Sequence, residues 1–168
     1  MNPSWPSALL YLAFAGPGAA DEASHLRQLG AGVFTTGGMV TEINLNRSKI
    51  TDAQLKWVAA FPSLTDLSLE QTKVTGQGLA HLSGLAKLEW VNLFQTQVGD
   101  DGLVQLAKLK SLQQLPIGKT KVTDAGLVHV AKMKHLKYLG LRVNKIPDAG
   151  IPRLVTLPKL TELHLGES

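Results

Sequence analysis

The chain has 168 residues, 44% of them hydrophobic but only 5% aromatic, with a formal charge of +4 and no cysteine. That is enough for one domain with a core built from Leu, Val, Ile and Ala, and it excludes a disulfide framework and thiolate metal sites. Lysines and acids are mixed along most of the chain, so the concentrated basic face of a nucleic-acid binder is not expected.

The first 20 residues stand apart. Ser7–Ala15 (SALLYLAFA) is a short apolar run, followed by Gly16-Pro17-Gly18-Ala19-Ala20 and then Asp21-Glu22. The order resembles a secretory signal and favours export, periplasmic or extracellular, over a cytoplasmic protein. The run is too short to span a bilayer, and no Lys or Arg precedes it. The alternative is an apolar segment packed on the first edge of the domain. Residues 21–39 read as an N-terminal cap: a helix over Asp21–Leu29, then a hairpin through Val33-Phe34-Thr35, a turn at Gly37-Gly38 and a return at Val40.

From residue 40 to 168 one sentence is written over and over. QTKVTGQGLAHL at 71–82 returns as KTKVTDAGLVHV at 119–130, and Val40, Leu64, Leu88, Leu112, Leu136 and Leu160 follow one another every 24 residues. Three positions on stand Ile43, Leu67, Val91, Leu115, Leu139 and Leu163, and two further Leu45, Leu69, Leu93, Ile117, Leu141 and Leu165. All are aliphatic. The spacing of two between the last columns predicts a strand whose intervening residues face the opposite side.

A polar column follows at Ser48, Thr72, Thr96, Thr120 and Asn144, bracketed by apolar residues. These side chains are expected to be buried, to satisfy backbone groups where the chain leaves the strand, and to stack into a ladder. The second half of each unit places apolar residues at intervals of three (Leu55-Val58-Phe61, Leu79-Leu82-Leu85 and so on) behind a Thr or Asp, which predicts a short capped helix. Gly78, Gly102, Gly126 and Gly150 fall in the first turn, where close packing on the neighbouring unit is the reason to keep them. A single unit buries too little to offset the entropy of ordering it, so the units must stack.

The pattern L-x-x-L-x-L-x-x-T-x-V-T-D-A-G-L resembles the leucine-rich repeat family, in its 24-residue bacterial style with a T-D-A-G-L corner. It covers residues 40–168, with departures at Gly76-Gln77, at Gly99-Asp100-Asp101 and at Pro116. The resemblance implies an α/β solenoid of about 5.5 repeats with parallel strands on the concave face and short helices on the convex face. It also implies a non-catalytic module that binds another protein on the concave face, whose identity the fold does not name.

Three columns should face that side: Glu42, Asp66, Trp90, Gln114, Tyr138, Glu162; then Asn44, Ser68, Asn92, Pro116, Gly140, His164; then Asn46, Glu70, Phe94, Gly118, Arg142, Gly166. Trp90, Asn92, Phe94, Gln114, Tyr138 and Arg142 form the candidate site, a shallow slot with aromatic walls and a floor of Pro116, Gly118 and Gly140. Covering a bare sheet is the plainer role for these rings. Pro116 removes a ladder donor and predicts a local bulge.

Lys49, Lys73, Lys121 and Lys145 make a secondary basic edge. The histidines are scattered, and no nucleophile motif or phosphate loop is present, so neither enzyme activity nor a cofactor or metal is expected. A strand left open at the C-terminal end offers a rival role, assembly or self-association through that end.

Overall fold

The computed structural model describes residues 19–166; the signal-like run lies outside the described residues. A helix, α1 (Ala19–Gln28), leads into an antiparallel hairpin of β1 (Gly32–Thr36) and β2 (Met39–Asn44). Gly37 and Gly38 make its turn with φ of 58° and 79°, values suited to a two-residue hairpin turn and open to glycine without strain. Five parallel strands then add one per repeat: β3 (Asp66–Ser68), β4 (Trp90–Asn92), β5 (Gln114–Pro116), β6 (Tyr138–Gly140) and β7 (Glu162–His164). The sheet order is the chain order, and each parallel strand pairs with its predecessor at an offset of 24 residues.

The framework columns form one continuous core. Ile43, Leu67, Val91, Leu115 and Leu139 are fully buried, as are Leu45, Leu69, Leu93 and Ile117. In the last repeat Leu160 and Leu163 are half-buried and Leu165 is exposed.

The convex segments are mostly 3-10 helix, at Asp52–Ala60, Gly78–Gly84, Asp124–Gly126 and Asp148–Thr156; regular helix is confined to α2 (Asp100–Leu106) and α3 (Leu127–Val130). The apolar spacing explains this. Residues three apart eclipse one another on a helix with three residues per turn, so Leu55, Val58 and Phe61 all point inward. The first-turn glycines do sit against the preceding repeat. A Cβ on Gly78 would lie 2.9 Å from the Asp52 Cα, and one on Gly126 would lie 2.8 Å from a Leu103 methyl.

Two expectations need correction. Pro116 causes no bulge: β5 keeps register with β6 throughout, and the ladder continues beyond it as Leu93 N–H donates to Pro116 O at 2.8 Å. What the missing donor costs is pairing with β4, which contracts to Trp90↔Gln114. The polar column is also no continuous ladder. Thr72, Thr96 and Thr120 each donate to a carbonyl three residues back in their own repeat, at 2.7, 2.8 and 2.9 Å. Only Asn144 reaches across, donating to Ile117 O at 2.7 Å and accepting from Thr120 N–H at 2.8 Å. A hydroxyl is too short to span two rungs; an amide is not.

The corners hold a device unlike the capping expected of them. Thr75 and Thr123 do cap, accepting from Gln77 N–H and Ala125 N–H at 3.3 Å. The aspartates instead reach forward. Asp52 accepts from Thr75 N–H and its hydroxyl at 2.8 and 2.6 Å, and Asp100 accepts from Thr123 in the same way at 2.9 and 2.7 Å. Where Gly76 replaces the Asp, Gly99 replaces the Thr that would meet it 23 residues on. The backbone N of Gly102 then comes within 2.5 Å of where a Gly76 Cβ would stand.

Candidate functional site on the concave sheet

The first five repeats each exit their strand through one residue with a left-handed backbone: Arg47, Gln71, Gln95, Lys119 and Val143, with φ between 53° and 66°. None is glycine. Each is held by its own N–H donating to the next rung, as Gln71 does to Phe94 O at 2.9 Å and Val143 to Gly166 O at 3.1 Å. This turn fixes the height at which the strand residues present their side chains. Sequence reasoning missed it because the column (R, Q, Q, K, V) shows no preference for Gly or Asn.

Strand register places the first concave column in line, Glu42↔Asp66↔Trp90↔Gln114↔Tyr138↔Glu162. Trp90 is half-buried with Asp66 on one side and exposed Gln114 on the other. Tyr138 is half-buried, two rungs or about 10 Å from Trp90. Its ring meets the His164 imidazole, centroids 5.0 Å apart.

The slot floor is not open. A Cβ on Gly118 would lie 3.1 Å from the Phe94 ring, one on Gly140 3.1 Å from the Tyr138 hydroxyl oxygen, and one on Gly166 3.3 Å from Arg142 Nε. Each large side chain lies over the glycine of a neighbouring strand position. The small residues make room for the rings.

Asn92 is 8% exposed, and both ends of its amide are engaged: Oδ1 accepts from Phe94 N–H at 3.0 Å, and Nδ2 donates to Glu70 Oε2 at 3.2 Å. It therefore positions Phe94 from below. Glu70 also accepts from Gln71 Nε2 at 3.2 Å, and Gln71 Oε1 accepts from Arg47 Nε at 3.1 Å. Asn46 Oδ1 accepts from the Ser68 hydroxyl at 2.6 Å and from Glu70 N–H at 3.0 Å. Glu70 and His164 were absent from the candidate set, although both stand in its columns.

The secondary basic edge lies apart from this face. Lys49, Lys73, Lys121 and Lys145 are all exposed, and none forms an ion pair among the described residues. Among those residues no three His, Asp or Glu side chains group as a metal cage, and no helix is long and apolar enough to cross a membrane.

A curved stack of short parallel strands, one per 24-residue unit, with 3-10 segments on its back, is a leucine-rich repeat solenoid. Solved structures agree. An internalin C2 from Listeria monocytogenes superposes with a TM-score of 0.56 at 34% identity, over 67% of this chain and 48% of that one. The leucine-rich repeat ectodomain of the plant membrane receptor kinase GASSHO1/SCHENGEN3 from Arabidopsis thaliana superposes at 0.57 with 22% identity, over 80% of this chain and 16% of that one. The chain thus spans about half the length of the internalin and a smaller share of the receptor. No protein-family model matches the sequence, and no curated protein matches it.

Proposed function

We propose that this chain is a non-catalytic binding module that holds a segment of another protein against its concave sheet. The reading rests on one observation. Trp90, Phe94 and Tyr138 keep part of their rings exposed on the sheet face, at positions the solenoid framework leaves free. Exposed rings beside an Arg supply large contact area at low entropic cost, which is how interface anchors work. Gln114 and Arg142 stand exposed beside them and offer polar contacts; Asn92 serves from underneath.

The signal-like order at residues 7–22 supports action outside the cytoplasm. The 24-residue T-D-A-G-L form of the repeat belongs to the same proposal, supported by the strand offset.

The test is a capture experiment with three proteins of equal folding by circular dichroism: wild type, Trp90→Ala/Phe94→Ala/Tyr138→Ala, and Lys49→Gln/Lys73→Gln. A partner kept by the first and third and lost by the second supports the concave site. The same partner on all three removes it. Assembly through the outer side of β7, which has no further strand beside it among the described residues, is the competing reading. Mass that rises with concentration in sedimentation, and equally so for the triple variant, would favour it.

A further inference from the structure

The net charge of +4 conceals a segregation that only folding reveals. Residues 105–113 and 129–137 together hold five lysines and no acid, more positive charge than the whole chain's net value. Both segments are the passage from convex helix back to strand, so the solenoid stacks them on one edge, opposite the corners where Asp52 and Asp100 stand. Lys108, Lys110, Lys132, Lys134, Lys137 and Lys159 are all exposed there.

The framework does not ask for these lysines. The positions of Lys108 and Lys132 are filled by Ala60, Gly84 and Thr156 in the other repeats, and those of Lys110 and Lys134 by Pro62, Ala86 and Pro158. Two shallow clefts lie side by side on this edge. One of about 210 Å³ is lined by Lys110, Lys132 and Lys134. The other, about 280 Å³, is lined by Lys110, Lys137 and Lys159 with Glu89 as its one acid. Lys110 and His135 border both.

None of the six lysines forms an ion pair among the described residues. Several are nonetheless held in place: Lys134 Nζ donates to Thr156 O at 3.2 Å, Lys159 Nζ sits 3.3 Å from His135 Nδ1, and Lys108 Nζ donates to Gln105 Oε1 at 2.7 Å. Like charges on neighbouring rungs about 5 Å apart repel, and no carboxylate but Glu89 lines either cleft.

We infer that this edge binds a linear polyanion other than nucleic acid, a chain of closely spaced sulfate or phosphate groups, laid along the solenoid axis across the third to fifth repeats. The cations are lysines, point charges that meet tetrahedral anions without a fixed fork geometry. Their spacing repeats with the rungs, so a chain of regularly spaced anions meets them one after another. No Phe, Tyr or Trp lines either cleft, and His135 is the one ring between them, so the run of stacking rings that single-stranded nucleic acid uses is missing.

The experiment uses the whole chain, with heparin as the sulfated probe and inorganic polyphosphate as the phosphorylated one; the tighter of the two names the anion. Lys110→Gln/Lys132→Gln/Lys134→Gln/Lys137→Gln is compared with Lys49→Gln/Lys73→Gln/Lys121→Gln/Lys145→Gln, which removes the same charge from the other edge. Binding by wild type that weakens as salt rises, falls at least about tenfold in the first variant and persists in the second is the expected result. Equal losses in the two variants would reduce the effect to net charge and overturn the site. No retention of wild type at low salt, or tighter binding to a single-stranded oligonucleotide or to phosphatidylserine vesicles, would overturn the ligand class. The concave triple variant should bind both polymers as wild type does, which keeps this outcome separate from the protein-binding proposal.

Discussion

The two halves of the concave face are built on opposite plans. Apart from the Trp90 ring, the surface over β2 to β4 is polar and stitched together, Ser68 to Asn46 and Asn92 to Glu70 across the rungs and Gln71 to Glu70 within one. Over β5 and β6 that stitching gives way to rings and an Arg lying over glycines, Phe94 on Gly118, Tyr138 on Gly140 and Arg142 on Gly166. The first half is held by satisfied polar groups, and of its acids Glu42 and Asp66 stand in register while Glu70 belongs to the third column. The second offers apolar area that water covers poorly. A face that is half network and half anchor presents specificity at one end and affinity at the other.

The sharpest way to break the second plan is Gly118→Val. The added carbons meet the Phe94 ring and the Arg142 carbonyl, 3.1 and 2.6 Å from the Cβ position. A loss of about 3 kcal/mol in urea unfolding is expected, with the Phe94 ring displaced from the sheet. Gly84→Val, where nothing lies within 4 Å, serves as its control and should lose clearly less.

The first plan breaks at Asn92→Ala, which strands Phe94 N–H and one oxygen of Glu70. About 1–2 kcal/mol is expected, read as a lower denaturation midpoint at unchanged m-value. A gain is expected at Val143, the β-branched member of the left-handed column with φ 66°. Val143→Asn should raise stability by about 1 kcal/mol, and Gln95→Asn by less, because a β-branched side chain suffers most in that conformation. The smallest effect belongs to Arg47→Ala. Its link to Gln71 is exposed, and less than about 0.5 kcal/mol should change in thermal unfolding; a larger loss would mean that the network extends to its rim.

The leucine spacing made the solenoid legible because each framework position repeats a physical demand: aliphatic, inward, every 24 residues. The concave columns followed from strand alternation alone, and the register places them in line. The contents of the site were less readable. Whether Asn92 faces outward or is spent on Phe94 depends on Glu70, one repeat earlier in the chain, and no local pattern reports that. The glycines of the floor looked like empty space, when their meaning lay in the rings above them. Charge was legible in amount but not in place. Charges mixed along the chain became segregated across edges once helix-to-strand passages and corners were sorted to opposite sides.

The forward reach of the aspartates gives the array a syntax. A Thr at the corner is a socket and an Asp is a plug, and the bond belongs to the pair. The unit with Thr75 and Gly76 has a socket and no plug; the next, with Gly99 and Asp100, has a plug and no socket; the one after, with Thr123 and Asp124, has both. Pro147 then closes the following socket by withholding its N–H, and Asp124 turns to Arg153 at 3.7 Å. Exchanging the units that begin at Leu88 and Leu112 would keep every leucine in step and yet lose the Asp100–Thr123 joint, leaving Asp100 to face Pro147. The leucines make the units stackable, and the corners record the order in which they are stacked.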